Sequence, residues 1–265
     1  MTLFLQLVAL GCLALAAGLV GGLALLAMER GQPIRFSRAC LSSWSREFAT
    51  QALKYLLYPL GWIETHPRRH PSAPGTRTPV LLLPGYGDNH SLLGPMGIFL
   101  RHRGWPWVQA INHPPATTLP EMAAGLALRI KEMQQASGAE QVDLVCHSMG
   151  GVVATWYLNH LDGAPHVRRM VAIATPFRGT KVAVFGPRRH ARDLLPTSSV
   201  IEKLGLPPVP TTSIRSSFDA IVLPQESAVL PEMDAYTNVT VHGHGHLAML
   251  YSTEVLGHIC RALED

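Results

Sequence analysis

Ser148 is the residue of this chain whose surroundings best fit a nucleophile. It follows the apolar run in QVDLVCHSMGG (141–151), and two glycines come after it. Such a run predicts a buried strand that turns into a helix at the serine, which exposes its hydroxyl at the carboxyl edge of a sheet. The helix N-terminus favours negative charge developing beside that hydroxyl. The segment therefore predicts nucleophilic chemistry at Ser148, with an ordinary strand–helix turn as the alternative.

A second chemical feature is the sequence VHGHGHLAML near the end of the chain, where histidines alternate with glycines. Each of His242, His244 and His246 is able to accept a proton near neutral pH. Glycine at every other position lets the backbone bend. Two uses remain open from these residues, a general base for a serine nucleophile and a three-histidine metal site.

Residues from 79 onward predict the elements that would position these groups. Short apolar runs alternate with segments of helical periodicity, which predicts an α/β fold with a parallel sheet flanked by helices. Strands are expected at 79–83, 107–111, 142–145, 167–174, 209–218 and 237–242. Helices are expected at 91–103, 118–137, 149–160 and 253–263.

The serine segment resembles the nucleophile elbow of the α/β-hydrolase fold, in the G-H-S-M-G-G form of bacterial triacylglycerol lipases and esterases. Small residues flank the serine there because the chain reverses sharply. Cys146 stands where that pattern has its first glycine. The segment ATPFRGT (174–180) is similar to the lipase T-P-x-x-G-T turn and is interpreted as a wall of the site. The resemblance covers about residues 78–263 and implies a minimal α/β-hydrolase fold of about six strands.

The segment LLPGYGD (82–88) looks like the oxyanion loop of the same lipases, with Pro84 in place of the usual histidine. The donors of an oxyanion hole are backbone N–H groups, so this replacement need not remove them. The resemblance assigns the two donors to the N–H groups of Tyr86 and Met149.

The resemblance also implies a catalytic acid that follows the nucleophile and precedes the base along the chain. Residues 213–224 (SIRSSFDAIVLP) match the lipase pattern S-x-x-D-x-x-V-x-P. This match assigns the acid to Asp219, with Asp193 and Asp234 as competitors.

The catalytic base is expected in the loop after the last strand. GHLAMLYSTEV resembles the lipase pattern G-H-x-x-L-L-x-S-x-x-V, which assigns the base to His246, with His244 as the alternative. His147, beside the nucleophile, is expected to pack or to form a hydrogen bond and not to catalyse.

These assignments predict a serine esterase or lipase that hydrolyses carboxylic esters of lipids or other acyl compounds. His246 would accept the proton of Ser148, Asp219 would orient His246, and water would hydrolyse the acyl-enzyme. An acyltransferase or thioesterase would use the same residues and remains an alternative. A membrane scaffold that retains the fold without catalysis is the third possibility.

Composition limits the other partners. Only 15% of the residues are charged, the formal net charge is +4, and there is no dense basic stripe, which argues against nucleic acid. The four cysteines have no zinc-type spacing. No metal or organic cofactor is implied; the expected partners are a lipid or acyl-ester substrate and a membrane, and the sequence does not identify protein partners.

Residues 2–28 contain no charged side chain. A helix of about 20 apolar residues crosses a bilayer, so this run is long enough. Because the run is too long for a signal peptide and no basic residue precedes it, we predict a single-pass anchor at 1–28. A cleaved signal peptide and a lipoprotein site at Cys12 are the alternatives.

The orientation of this anchor is predicted from its flanking charges. Basic residues after the run favour a cytoplasmic catalytic part. The arginine-rich composition is typical of bacteria, which suggests the inner membrane.

The rest of the chain divides into two parts. Residues 29–77 predict a juxtamembrane segment, amphipathic over 36–63, that lies either in the headgroup region or against the catalytic domain; it ends in a Pro-rich linker. Residues 78–265 form the expected catalytic domain. Its proline-rich segment 177–208 predicts a mobile lid over Ser148 with an apolar side, and a fixed packed loop is the alternative.

Overall fold

The computed structural model describes residues 38–63, 66–67, 77–113, 118–187 and 189–264, and the structural statements below concern these residues. The predicted anchor at 1–28 and most of the predicted linker lie outside them. In the described part of the chain, no helix combines the length and the apolar character needed to cross a bilayer.

The described residues form one parallel sheet of six strands. Its order is β2-β1-β3-β4-β5-β6, so the direction of winding reverses beside β1. Ligands of open α/β sheets bind at such a reversal, outside the carboxyl ends of the strands. All six predicted strands are confirmed. The strands are β1 (Val80–Leu83), β2 (Val108–Ala110), β3 (Val142–His147), β4 (Val167–Ile173), β5 (Thr211–Ser216) and β6 (Tyr236–Val241).

The four predicted helices are also present. Helix α3 (Leu119–Ser137) shows why its bounds could be predicted, because Thr118 and Glu121 form a capping box at its start and Gly138 ends it in the left-handed conformation. The α-helices of the described residues are α1 (Arg38–Leu57), α2 (Gly94–His102), α3 (Leu119–Ser137), α4 (Met149–His160), α5 (Arg189–Arg192), α6 (Ser199–Leu204) and α7 (Thr253–Glu264).

The core lies in two layers, one on each face of the sheet. β1 consists of four apolar residues, all fully buried, whose successive side chains point to opposite faces. Leu81 and Leu83 pack with residues of α3 and α4, whereas Val80 and Leu82 pack with residues of α2 and α7. A strand covered on both faces requires this uninterrupted apolar run, which explains why the sequence predicted it.

Helix α1 packs on the catalytic domain, which is one of the two placements considered for the amphipathic segment. It contacts the 3₁₀ turns His90–Leu93 and Ala248–Tyr251. The first of these turns follows the predicted oxyanion loop, and the second follows the predicted catalytic histidine. Helix α1 therefore lies beside the edge of the sheet that carries the chemistry.

The segment predicted as a lid contains the 3₁₀ turn Lys181–Phe185 followed by α5 and α6. Leu194 and Leu204 are buried in the core layer of α3 and α4, whereas Val184 and Phe185 are mostly exposed. The segment thus has an apolar inner side, and its motion stays a prediction.

A buried ion pair joins two neighbouring strands at the end of the sheet opposite to Ser148. The carboxylate of Asp143 in β3 is fully buried and accepts two hydrogen bonds from Arg168 of β4, at 2.9 and 2.7 Å. Arg168 also donates to the carbonyl oxygen of Leu263, which ties α7 to the sheet. Removing the arginine would leave a buried carboxylate without its partner.

We predict that Arg168→Met lowers the free energy of unfolding by roughly 3 kcal/mol, because an uncompensated buried charge is costly. Urea denaturation followed by circular dichroism measures the change. The matched control is Arg129→Met, which breaks an exposed pair with Glu132 and should change stability by less than about 0.5 kcal/mol. Equal effects of the two substitutions would contradict the prediction.

Candidate active site

Ser148 occupies a sharp turn between β3 and α4. Its φ of 53° and ψ of −122° lie where residues other than glycine are rarely found. Two backbone hydrogen bonds fix the turn. The N–H of Ser148 donates to the carbonyl oxygen of Ile173 at 2.8 Å, and the N–H of Gly151 donates to the carbonyl oxygen of Ser148 at 3.1 Å. This strand–turn–helix geometry places the serine at the carboxyl edge of the sheet, as predicted, but the residue is only 6% exposed instead of open to solvent.

The two residues after the serine must be glycines because neighbouring segments of the chain pack too closely there to leave room for a Cβ atom. A Cβ at Gly150 would lie 2.8 Å from the carbonyl oxygen of Leu83, and one at Gly151 would collide with the side chain of Thr175. Cys146, which replaces the first glycine of the lipase pattern, is fully buried in the core. A small apolar residue is therefore accommodated at that position.

The two predicted oxyanion donors lie on segments that flank Ser148. Met149 is the first residue of α4, so its N–H belongs to the free N-terminus of that helix. On the other side, a Cβ at Gly85 would lie 3.0 Å from the Cβ of Ser148, which shows how closely the loop before Tyr86 approaches the nucleophile. Backbone N–H groups from both segments are suited to stabilise negative charge on a substrate oxygen.

Asp219 and His246 are brought together by the loops after β5 and β6. Nδ1 of His246 lies 2.8 Å from Oδ2 of Asp219, and both side chains are buried. The other oxygen of Asp219 accepts the N–H groups of Ile221 at 2.7 Å and Val222 at 3.1 Å. Burial raises the pKa of Asp219, but His246 and these hydrogen bonds outweigh it, so the pKa is lowered and the carboxylate stays ionised.

His246 lies beside the residue that precedes the nucleophile. The rings of His147 and His246 are 4.7 Å apart, and Nε2 of His147 donates to the carbonyl oxygen of His246 at 3.2 Å. Burial lowers the pKa of His147 to about 4, which keeps it neutral. Burial also lowers the pKa of His246, but the charge and hydrogen bond of Asp219 outweigh this, and the pKa is raised. His147 packs and forms a hydrogen bond in the described structure.

Asp193 and Asp234, the two competing candidates for the catalytic acid, lie at other places in the structure. The carboxylate of Asp193 accepts the N–H of Leu119 at 3.0 Å at the start of α3. Asp234 is exposed in the turn before β6. Neither contacts His246 in this way, whereas Asp219 does.

The other two histidines of the glycine–histidine repeat have partners of their own. His242 lies 2.8 Å from the hydroxyl of Ser217, and His244 lies 3.1 Å from the hydroxyl of Ser252. Among the described residues there is no group of histidine, cysteine and acidic side chains arranged to hold a metal ion. The three histidines therefore point to three different partners.

Two charged residues near the site were missed by the sequence reasoning, and both come from α1. The Glu47 carboxylate accepts the N–H of Leu247, next to the catalytic-base candidate, and Lys54 forms an ion pair with Asp88 of the oxyanion loop. Their spacing of seven residues puts them on one face of the helix. That spacing was a usable signal, but nothing local indicated what the face contacts.

A cavity of about 330 Å³ opens beside the oxyanion loop. Its wall includes Gly85 and Met149 next to the nucleophile, together with Trp62 from the turn after α1. His113 also lines it and donates from Nε2 to the carbonyl oxygen of Pro84 at 3.2 Å. Burial lowers the pKa of His113 to about 4. The cavity offers apolar side chains and neutral polar groups to a bound molecule, together with the charged side chains of Asp88 and Arg129.

Comparison with known proteins agrees with this architecture. A family model described as "Alpha/beta hydrolase of unknown function (DUF915)" matches residues 102–186, which include Ser148. The structure is similar to lipase B of Aspergillus fumigatus, with a TM-score of 0.64 and 22% identity over 71% of this chain. This chain spans about half of that lipase, covering 53% of it.

Two other similar structures, both shorter than that lipase, align with this chain over almost their full length. Mature lipase BlEst2 of Bacillus licheniformis has a TM-score of 0.59 and 15% identity over 76% of this chain and 96% of that one. Esterase RhEst1 of a Rhodococcus species has a TM-score of 0.54 and 15% identity over 71% of this chain and 91% of that one. These likenesses confirm the predicted α/β-hydrolase fold for the part of the chain that carries the sheet.

The raised pKa of His246 predicts how the reactivity of Ser148 depends on pH. A histidine accepts the serine proton in its neutral form, so the rate of labelling by a fluorophosphonate should fall as His246 becomes protonated. The midpoint should lie above 6.5, the ordinary pKa of histidine. Labelling rates measured from about pH 5 to 9 test this, with Ser148→Ala as the unlabelled control. A rate independent of pH, or a midpoint below 6.5, would contradict it.

Proposed function

We propose that this protein is a membrane-anchored serine esterase or lipase that hydrolyses carboxylic esters of lipids or other acyl compounds. The observation that carries the proposal is the 2.8 Å contact between Asp219 and His246, held beside the sharp turn at Ser148. The names of the similar proteins, which are lipases and esterases, point to the same reaction class.

In the proposed reaction, His246 takes the proton of the Ser148 hydroxyl through Nε2 while Oγ attacks the ester carbonyl carbon. Asp219 holds Nδ1–H and stabilises the imidazolium that forms. The carbonyl oxygen becomes negative and accepts the N–H groups of Tyr86 and Met149. His246 then gives its proton to the departing alcohol, and a water activated by the same histidine hydrolyses the acyl-enzyme.

The cavity favours an acyl group of limited size. Its volume of about 330 Å³ lies near the lower end of the range of roughly 300–1,000 Å³ for small-molecule sites. Trp62 and Met149 offer apolar contact, and His113 and Asn112 offer polar contact. We therefore propose short or medium acyl chains as the preferred substrates over long ones.

Substitution of the proposed residues tests the mechanism. Ser148→Ala and His246→Ala should each lower kcat on a short p-nitrophenyl ester by about 10⁴-fold or more, because members of a triad act as a unit. His244→Ala should stay within about threefold of the unsubstituted protein, since its ring contacts Ser252 and not Asp219. Steady-state kinetics on detergent-purified protein provide the measurement.

Two outcomes would count against this assignment. Turnover that survives in pure Ser148→Ala protein would remove that serine from the mechanism. A larger loss in His244→Ala than in His246→Ala would mean that the base had been assigned to the wrong histidine of the repeat.

Membrane association is the second part of the proposal. It is supported by the uncharged run of residues 2–28 and by the unusual orientation of α1. The domain-facing side of that helix is polar, with Ser43, Glu47 and Thr50 buried. We propose that the outer side faces a bilayer, with the catalytic part on the cytoplasmic side of a bacterial inner membrane.

Several apolar side chains on the outer side of α1 are exposed, with exposed polar residues such as Ser45 between them. Leu41, Phe48 and Tyr55 recur every seven residues and are 60%, 47% and 38% exposed. Leu56 is 71% exposed, and Trp62, in the turn after the helix, is 80% exposed and also lines the cavity. A patch of this kind is typical of a surface that binds a membrane. Its position would let a lipid ester reach the cavity directly from the bilayer.

Replacing outer-face residues of α1 by aspartate should weaken membrane binding without affecting catalysis. We expect a protein lacking residues 1–28 to bind vesicles of phosphatidylglycerol and phosphatidylethanolamine, and Phe48→Asp/Leu56→Asp to lower that binding at least about tenfold. Each buried apolar side chain contributes roughly 1.5–3 kcal/mol, and 1.4 kcal/mol is about tenfold in affinity. Vesicle flotation measures the bound fraction.

Leu128→Asp is the matched control, because Leu128 is an exposed leucine on α3. It should leave binding unchanged, and all three proteins should hydrolyse a soluble ester at the same rate. Equal binding by the double variant and the control would refute the membrane-facing role of α1.

A further inference from the structure

The buried carboxylate of Glu47 forms hydrogen bonds next to His246, although it takes no part in the proposed reaction steps. Glu47 is 4% exposed and belongs to α1, which precedes the catalytic domain in the sequence. Its Oε2 accepts the N–H of Ala248 at 2.9 Å, and its two oxygens lie 3.0 and 3.1 Å from the N–H of Leu247. These donors belong to the two residues that follow His246.

The donors would otherwise be unpaired inside the protein. Leu247 is the N-cap of the 3₁₀ turn Ala248–Tyr251 and Ala248 is its first residue, and the first N–H groups of a helical turn have no partner within it. Both residues are buried, so water is not available to them. A carboxylate at this position satisfies the donors and also matches the positive end of the turn. Glu47 therefore fixes the backbone that carries His246.

Two glycines of the loop that carries His246 allow α1 to pack against it. A Cβ at Gly245 would collide with the Glu47 carboxylate, so the glycine before His246 is what lets the acid approach. One residue earlier on α1, the Arg46 side chain donates to the carbonyl oxygen of Gly243 at 2.9 Å. The alternating glycines of the repeat thus serve the docking of α1 as well as the bending of the loop.

The same helix also contacts the other side of the site. Lys54 pairs with Asp88 in the oxyanion loop, and both side chains are largely buried. Beyond the helix, the carbonyl oxygen of Tyr58 accepts Nδ2 of Asn89 at 2.9 Å. One continuous segment, residues 43–63, therefore holds the loop of the base and the loop of the oxyanion donors in fixed relation.

Glu47 is also close enough to His246 to act on its charge. The two side chains line the same small cavity, together with Trp44 and Phe218. Burial raises the pKa of Glu47, while the N–H groups of Leu247 and Ala248 and the charge of His246 oppose this. The Glu47 charge in turn favours the protonated form of His246. The transition state for attack by Ser148 contains that protonated form.

We propose that Glu47 is a positioning residue for the catalytic base, which holds the loop of His246 and stabilises its imidazolium form as a second carboxylate behind Asp219. The inference rests on the proposed function for its kinetic consequences. Its structural content, that Glu47 sets the position and the pKa of His246, is independent of turnover.

Two variants separate the roles of hydrogen bonding and charge. Glu47→Gln keeps an acceptor oxygen and removes the charge, whereas Glu47→Ala removes both. In full-length protein in detergent, we expect kcat to fall about 10–100-fold in Glu47→Gln, and further in Glu47→Ala, with KM changed by less than about threefold. The acid midpoint of kcat/KM should move to lower pH in Glu47→Gln, because a charge that favours protonated His246 is gone.

Glu254→Gln is the matched control. Glu254 is an exposed carboxylate of α7 that lies 3.6 Å from His244, which belongs to the same loop as His246. It should leave both kcat and the pH midpoint unchanged. Fluorophosphonate titration counts the reactive sites in each preparation, so a smaller folded fraction is not mistaken for slower catalysis.

An NMR titration of the His246 ring, assigned with His246→Gln, completes the test. The pKa of His246 should be lower in Glu47→Gln than in the unsubstituted protein, and equal in Glu254→Gln. An unchanged pKa in Glu47→Gln, or a kcat per titrated site within twofold of the unsubstituted value, would overturn the proposal. If the unsubstituted protein neither turns over esters nor reacts with the probe, the proposed function fails while the NMR titration still decides the role of Glu47.

Discussion

The sharp reversal of the chain at Ser148 is the constraint on which the rest of this site depends. A residue other than glycine held in such a conformation costs about 1–3 kcal/mol, and it persists where the surroundings fix it. Here β3 lies between β1 and β4 in the sheet, and the N–H of Ser148 itself is bound by the last residue of β4. The central position of β3 therefore makes the strained turn rigid.

Parallel strands bring the remaining groups to the same place. Because all six strands run in one direction, the loops after β1, β3, β5 and β6 leave the sheet at one edge. These four loops carry Tyr86, Ser148, Asp219 and His246, in the order in which the sequence introduces them. Residues far apart in the sequence thus come to the same edge of the sheet because of the direction and order of the strands. The sheet supplies the proximity, and hydrogen bonds within the loops supply the orientation.

Local sequence patterns explain how much of this could be predicted. Strands with uninterrupted apolar runs, such as β1, and helices with clear ends, such as α3, are encoded within a few residues. The pair Asp219 and His246 could be chosen because the resemblance gave an order for acid and base. The contact of Glu47 with Leu247 joins residues 200 positions apart in the sequence, and no local pattern of α1 indicates it. The exposed apolar residues of that helix were recognised, but the partner of its polar face was not.

The orientation of α1 connects the two proposals about this protein. A helix on a soluble domain normally buries its apolar face and exposes its polar one, yet α1 buries Glu47 and exposes Phe48 and Leu56. The buried polar face has a use, since its carboxylate completes the hydrogen bonds of the loop that carries His246. The exposed apolar face remains costly in water, and contact with a bilayer removes that cost. Docking on a membrane would therefore stabilise the same helix that holds the loop of His246, so that the surface proposed to receive a lipid ester would also support the geometry proposed to cleave it.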